Sequence, residues 1–232
     1  MLKSDSGQYL VIECGVKFAN IKKAINFDVR HCAGILITHE HGDHAGHVRD
    51  ALKTSIPVYM SAGTKETIGN VGTFEAKVIE PNMITVIGEF RILPFGVKHD
   101  AAQPFGYVID HRECGRVLFA TDTYFLPVRF TGLSNILIEC NYKRDRLDQL
   151  FRTGKTPGKV RDRIIESHME FDECVKILKE TDLSGVVKIG LIHLSDANSD
   201  AEFFRSEIAR ITGKDTFVAS PNMEIEFNKT PF

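Results

Sequence analysis

Short apolar runs bounded by glycine, proline or polar turns set the rhythm of this chain. Tyr9–Ile12 is the first and stops before Gly15, and Gly34–Ile37 follows. Pro57–Met60, Lys77–Ile79, Ile84–Ile87, Phe90–Leu93 and Phe105–Ile109 read as further strands separated by turns. Arg116–Ala120 and Asn135–Ile138 are apolar without alternation, as expected of strands covered on both faces. Val186–Ile192 is a late strand. Helical spacing is clearest over Phe18–Ile25, over Phe171–Leu178 with its apolar residues at 171, 174, 175 and 178, and over Ala201–Ile211. Ser61–Thr67 opens like a helix. Strands and helices mixed along the whole length predict an α+β architecture, sheets with helices outside them.

The polar residues that follow these runs change the picture. Ile35–Ile37 leads straight into Thr38-His39-Glu40-His41-Gly42-Asp43-His44, read as a loop. Three histidines and an aspartate so close together are hard to explain by packing. Charged imidazoles would repel, and neutral ones would leave buried polar atoms unpaired. A divalent cation removes both problems, because neutral imidazole nitrogen and carboxylate oxygen are the donors zinc and related metals accept. Spacing alone fits a split, with His39 and His41 on one metal and Asp43 and His44 on its neighbour. Further ligands should sit at other strand ends, where rigid elements hold them. His99 follows Ile92–Val97, Asp122 follows Val117–Thr121, and His193 follows Ile189–Ile192. His168 stands just ahead of a helix.

Composition sets bounds on the reading. The chain has 232 residues, 43% hydrophobic and 26% charged, within the range of one globular domain spanning 1–232. A formal net charge of -2 gives no global pull toward nucleic acid, so any such contact needs a local patch. No apolar run reaches the ~18 residues of a spanning helix, which argues against a membrane partner. Met1 to Gly7 has no apolar signal core, so a cytoplasmic location is expected. The five cysteines are scattered, without CxxC spacing, and are expected to be free thiols, with Cys14 and Cys140 as small core residues.

His39-x-His41-x-Asp43-His44, then His99, Asp122 and His193 in that order, resembles the metallo-β-lactamase superfamily, and the resemblance covers nearly the whole chain. It implies a four-layer αββα sandwich with two divalent metal ions, zinc or manganese. It assigns His39, His41 and His99 to the first metal, Asp43, His44 and His193 to the second, and Asp122 to a bridge between them. Leu137-Ile138-Glu139-Cys140-Asn141-Tyr142, Ser167-His168-Met169-Glu170 and Leu191-Ile192-His193-Leu194-Ser195 resemble motifs of the tRNA 3′-processing endonucleases of that superfamily. There, the earlier late histidine gives a proton and the glutamate holds it. The overall likeness is to small YycJ/WalJ-type DNA exonucleases, some of them phage-encoded. Two departures stand out. Met1 to Ser6 is too short to supply the usual first strand, which is expected to be missing or shortened. Met169-Glu170 stands where small or hydroxyl residues are usual.

The expected function is therefore a metal-dependent phosphodiesterase or nuclease, DNA ahead of RNA as its substrate. Two cations would activate water, His168 would be the general acid and Glu139 its orienting partner. Asp100, beside His99, is the expected acceptor for a ligand histidine's second N–H. Lys143 to Arg163 holds eight basic residues against three acidic ones. Lys143, Arg144, Arg146, Arg152, Lys155 and Lys159 form a candidate phosphate grip, with Arg161 and Arg163 close by. Tyr142 and Phe151 are candidates for stacking or for the core. A lactonase or thioesterase on the same fold is the competing enzyme. A non-catalytic relative is disfavoured by the complete donor set. The sequence carries no signal for an oligomeric state.

Overall fold

The computed structural model describes residues 1–69 and 73–230. The chain divides into two compact units, Met1–Gly96 with Ala101–Tyr107, and Val97–Asp100 with Val108–Phe232.

The first unit runs β1(Leu2–Lys3), β2(Tyr9–Ile12), α1(Phe18–Ala24), β3(Cys32–Leu36), α2(Gly42–Ala45), α3(Val48–Ala51), β4(Val58–Met60), α4(Ala62–Ile68), β5(Lys77–Val78), β6(Thr85–Ile87) and β7(Phe90–Gly96). It also takes in the first residues of β8(Phe105–His111). One sheet has the order β1-β2-β3-β4-β5. β1 is antiparallel to β2, and β2 to β5 are mutually parallel. β1 is two residues long and covers the edge of β2. β6 and β7 form an antiparallel pair about the turn at Gly88, whose φ of 58° is left-handed. β7 extends past the expected Leu93 and absorbs Pro94, whose carbonyl accepts from Asn82 N. The apolar face of α1 packs Phe18 and Ile21 against Val11, Ile35, Ile37, Val58 and Met60 of the parallel strands. Burying one such side chain contributes roughly 1.5–3 kcal/mol.

The second unit holds the rest of β8, then β9(Gly115–Ala120), β10(Asn135–Glu139), α5(Arg144–Arg152), α6(Gly158–Ser167), α7(Phe171–Glu180), β11(Lys188–Ile192), α8(Ala201–Thr212) and β12(Asp215–Val218). Its strand order is β12-β11-β10-β9-β8. β9 to β12 are parallel, in a register that sets Ile138 beside Ala120 and Glu139 beside Ile192. Parallel neighbours need crossovers, which the helices supply. α7 buries Phe171, Cys174 and Leu178 as its spacing foretold, and Ile177 in addition, while Val175 is only half-buried. Among the described residues no helix is long and apolar enough to cross a membrane.

Three departures from the pattern reading have physical causes. The Thr38–His44 loop ends inside a helix, because α2 opens at Gly42 with His41 as its N-cap. α6 begins directly after Pro157, although Thr156-Pro157-Gly158 reads as a turn. Proline's fixed φ, here -61°, suits a helix entry as well as a turn. β12 is a short strand that pairs with β11, and its Asp215 and Thr216 hid it from an apolar search.

Candidate functional site

In each unit the polar cluster lies at the carboxyl ends of parallel strands, where open α/β sheets bind ligands. In the first unit, β2 runs into Glu13 and β3 into Thr38 and His39. Thr38 N donates to Glu13 Oε1 at 3.2 Å, and Glu13 Oε2 stands 3.5 Å from His44 Nδ1. Thr38 Oγ1 lies 2.9 Å from His39 Nδ1, which leaves Nε2 of that ring facing His41 Nδ1 at 3.0 Å. The His39 and His44 rings are 4.2 Å apart between centroids. His39 and His44 are buried, whereas the Asp43 side chain is 67% exposed. Glu40, between the first two histidines, points elsewhere. It accepts from Ala102 N at 2.7 Å and from Thr64 Oγ1 at 3.4 Å, so it anchors the loop. Gly15 is required by close approach, since a Cβ there would lie 1.6 Å from the Asp43 carbonyl oxygen.

Glu13 was not among the residues expected at the site. Burial pushes its carboxyl up, against the lowering pull of His44 and Thr38. The signal that could have found it is the one that found His193: a polar residue directly after an apolar run.

In the second unit, Asp122, Glu139 and His193 come from the ends of β9, β10 and β11, and His168 from the end of α6. Glu139 is fully buried and is the hub. Its Oε1 meets His168 Nδ1 at 2.8 Å and His193 Nδ1 at 3.1 Å, and its Oε2 accepts from Thr123 N at 2.8 Å. Asp122 Oδ1 lies 3.1 Å from His168 Nδ1 and 3.5 Å from His193 Nδ1. Asn141 Nδ2 donates to the His193 carbonyl at 2.7 Å. Burial works against a charged His168, but its hydrogen bonds to Asp122 and Glu139 outweigh it and hold the imidazolium up to about 10. Burial pushes His99 down, toward the neutral imidazole. Its Nδ1 faces the Ser167 carbonyl at 3.0 Å. That carbonyl takes the place expected of Asp100, whose Oδ1 is instead 3.3 Å from Nε2 and whose Oδ2 accepts from Arg163.

Backbone strain marks the same strand ends. Glu13, Asp122 and His193 hold φ of 73°, 47° and 56°, a region that costs non-glycine residues on the order of 1–3 kcal/mol each.

The family model described as a beta-lactamase superfamily domain matches residues 9–193. The chain belongs to the metallo-β-lactamase superfamily. Its two sheets and flanking helices are the α+β fold of that family of hydrolases. It is similar to exodeoxyribonuclease YycJ of Bacillus anthracis, 26% identical over 210 residues, which is 88% of this chain and 79% of that protein. Among solved structures it resembles the metallo-β-lactamase fold protein YhfI of Bacillus subtilis, with a TM-score of 0.68 at 17% identity, covering 95% of this chain and 88% of that one. The short form of human tRNase Z gives a TM-score of 0.60 at 14% identity, over 97% and 90% of the two chains. At those identities the two structures speak for the fold alone.

The donors present fit the divalent metals of a metallo-β-lactamase fold. Two imidazole nitrogens facing each other at 3.0 Å, as in His39 and His41, have lone pairs to offer one cation. Asp122, Glu139, His168 and His193 each present one ligand-type atom, all within 4.8 Å of one another.

The basic stretch Lys143–Arg163 divides into spent and available charge. Lys143 pairs with Asp172, Arg161 with Asp148 and Asp162, and Arg163 with Asp100. Arg146 Nε donates to the Ala197 carbonyl, and the Arg144 guanidinium lies over the Tyr142 ring. Arg152, Lys155 and Lys159 are exposed and carry no ion pair among the described residues. Tyr142 is core at 1% exposure, whereas Phe151 is 45% exposed under Arg161. The two departures at the late histidine also have roles. Met169 is buried and its carbonyl accepts from Asn141 N, and Glu170 caps α7. All five cysteines are free and buried.

Proposed function

We propose that the chain is a two-metal phosphodiesterase acting on nucleic acid, as a DNA exonuclease. His39, His41 and His99 would hold one ion and Asp43, His44 and His193 the other, with Asp122 as a ligand shared by both, and manganese or zinc as the metal. Two such ions supply an activated water and neutralise the charge of a phosphodiester. His168 keeps Nδ1 on Glu139 and carries the leaving oxygen's proton on Nε2. Glu139 fixes the imidazole's tautomer and raises its basicity. Arg152, Lys155 and Lys159 offer uncommitted charge to the phosphate backbone.

The observation that carries this reading is the buried Glu139 carboxylate at 2.8 Å from His168, a proton-holding pair beside ligand-type groups. A thioesterase has less need of it, because a thiolate leaves without a proton, whereas the alkoxide leaving a phosphodiester must be protonated. The similarity to an exodeoxyribonuclease over most of the chain supports DNA as the substrate. The test is cleavage of 5′- and 3′-labelled single- and double-stranded DNA and RNA with added metal, against Asp43→Ala. Stepwise shortening of DNA by the wild type alone is expected. Equal cleavage by both proteins, or none by either, overturns the reading.

A further inference from the structure

Within the second unit a cleft of about 510 Å³ opens beside His99 and Ser167. That volume accommodates a nucleotide. Three elements wall it: the segment 97–100, the turn after β9, and α6. The walls are tied together. Lys98 N donates to Thr123 Oγ1 at 3.1 Å, Tyr124 N donates to the Lys98 carbonyl, and Arg163 holds Asp100. The same turn is fixed from behind by Glu139, which accepts from Thr123 N. Residue 124 is therefore positioned by the carboxylate that holds His168.

The lining has a particular chemistry. Tyr124 is 44% exposed, a large ring standing free on a firmly held turn. Lys98 and Lys159 are exposed, and among the described residues their ammonium groups have no ion pair. The lining carboxylates are mostly neutralised, Asp100 by Arg163 and Asp162 by Arg161, which leaves Glu166 against the two lysines. An open aromatic face with two uncommitted ammonium groups suits a ligand that is flat at one end and anionic at the other. We propose that this cleft receives the nucleotide next to the scissile phosphodiester, its base on the Tyr124 ring and its phosphate on Lys98 and Lys159.

The proposal rests on the nuclease reading, and the test separates the two. Chelator-treated protein is titrated into a fluorescein-labelled oligothymidylate and into an equally long strand of abasic sugar–phosphate units, and binding is read by anisotropy. The wild type binds the thymidylate about tenfold more tightly. Tyr124→Ala loses that preference and Tyr124→Phe keeps it. The Lys98→Ala, Lys159→Ala double variant weakens both strands alike, and its log affinity falls less steeply with log salt, by about 0.7 for each phosphate no longer gripped. Unchanged preference in Tyr124→Ala, in a wild type that cleaves DNA, overturns the cleft and leaves the nuclease standing. A wild type that neither binds nor cleaves DNA overturns both.

Discussion

The two units solve the same problem by different means. In the first, the donors are neighbours in sequence: His39, His41, Asp43 and His44 follow one strand, and the rings approach one another directly. In the second, Asp122, Glu139, His168 and His193 come from four separate places, and buried carboxylates lie between the histidines. The first cluster is built by local chain geometry, down to a glycine that lets residue 43 pass close. The second is built by parallel strand register, which sets Glu139 beside Ile192 and hence beside His193. A locally built cluster is sensitive to its own loop. One assembled from strand ends is as firm as the sheet.

That contrast can be broken or sharpened by experiment. Chelation is expected to have the largest effect, because the proposed mechanism draws its activated water from the ions: hydrolysis should fall to background and return with added manganese or zinc, as an activity assay would show. His168→Ala should lower kcat by about 10²–10⁴-fold, the usual range for a lost general acid, with metal content by elemental analysis unchanged. Metal lost in step with activity would make His168 a ligand instead. Next come the supports. Thr38→Val removes the hydroxyl beside His39, and Asn141→Ala removes the donor to the His193 carbonyl. Each should weaken metal affinity by about 10–100-fold in a chelator competition, and an effect of Thr38→Val alone would show that only the first cluster depends on side-chain support. Gly15→Ala should cost about 1–3 kcal/mol in denaturant unfolding, because the Asp43 backbone must move. The smallest effect is expected at the thiols. Burial pushes Cys14 up to about 12 and Cys32 and Cys114 up to about 11, so a thiol reagent should label them only after unfolding.

The same contrast explains what the sequence disclosed. The His39–His44 cluster could be read directly, since packing alone gives no reason for so many imidazoles in one short segment. Asp122 and His193 were visible only as polar residues after apolar runs, and the family resemblance was needed to rank them. Glu13 carries the same mark after β2, but one acid at a strand end is too common to single out. The Ser167 carbonyl facing His99 could not be read at all, as a backbone oxygen leaves no trace in residue identity. The long helices α7 and α8 followed their apolar spacing closely. β12 and α6 did not, because a two-strand register and a proline-led helix start depend on what surrounds them. The basic stretch showed its composition but not all its commitments, since Lys143 and Arg163 find carboxylates outside it, on Asp172 and Asp100.

The claim beneath all of this is that the paired clusters hold two divalent ions. Calorimetric titration of chelator-stripped protein with manganese and with zinc tests it most directly. Uptake of two equivalents of at least one of these metals per chain is the predicted result. No uptake of either, or saturation at a single equivalent with both, would contradict it.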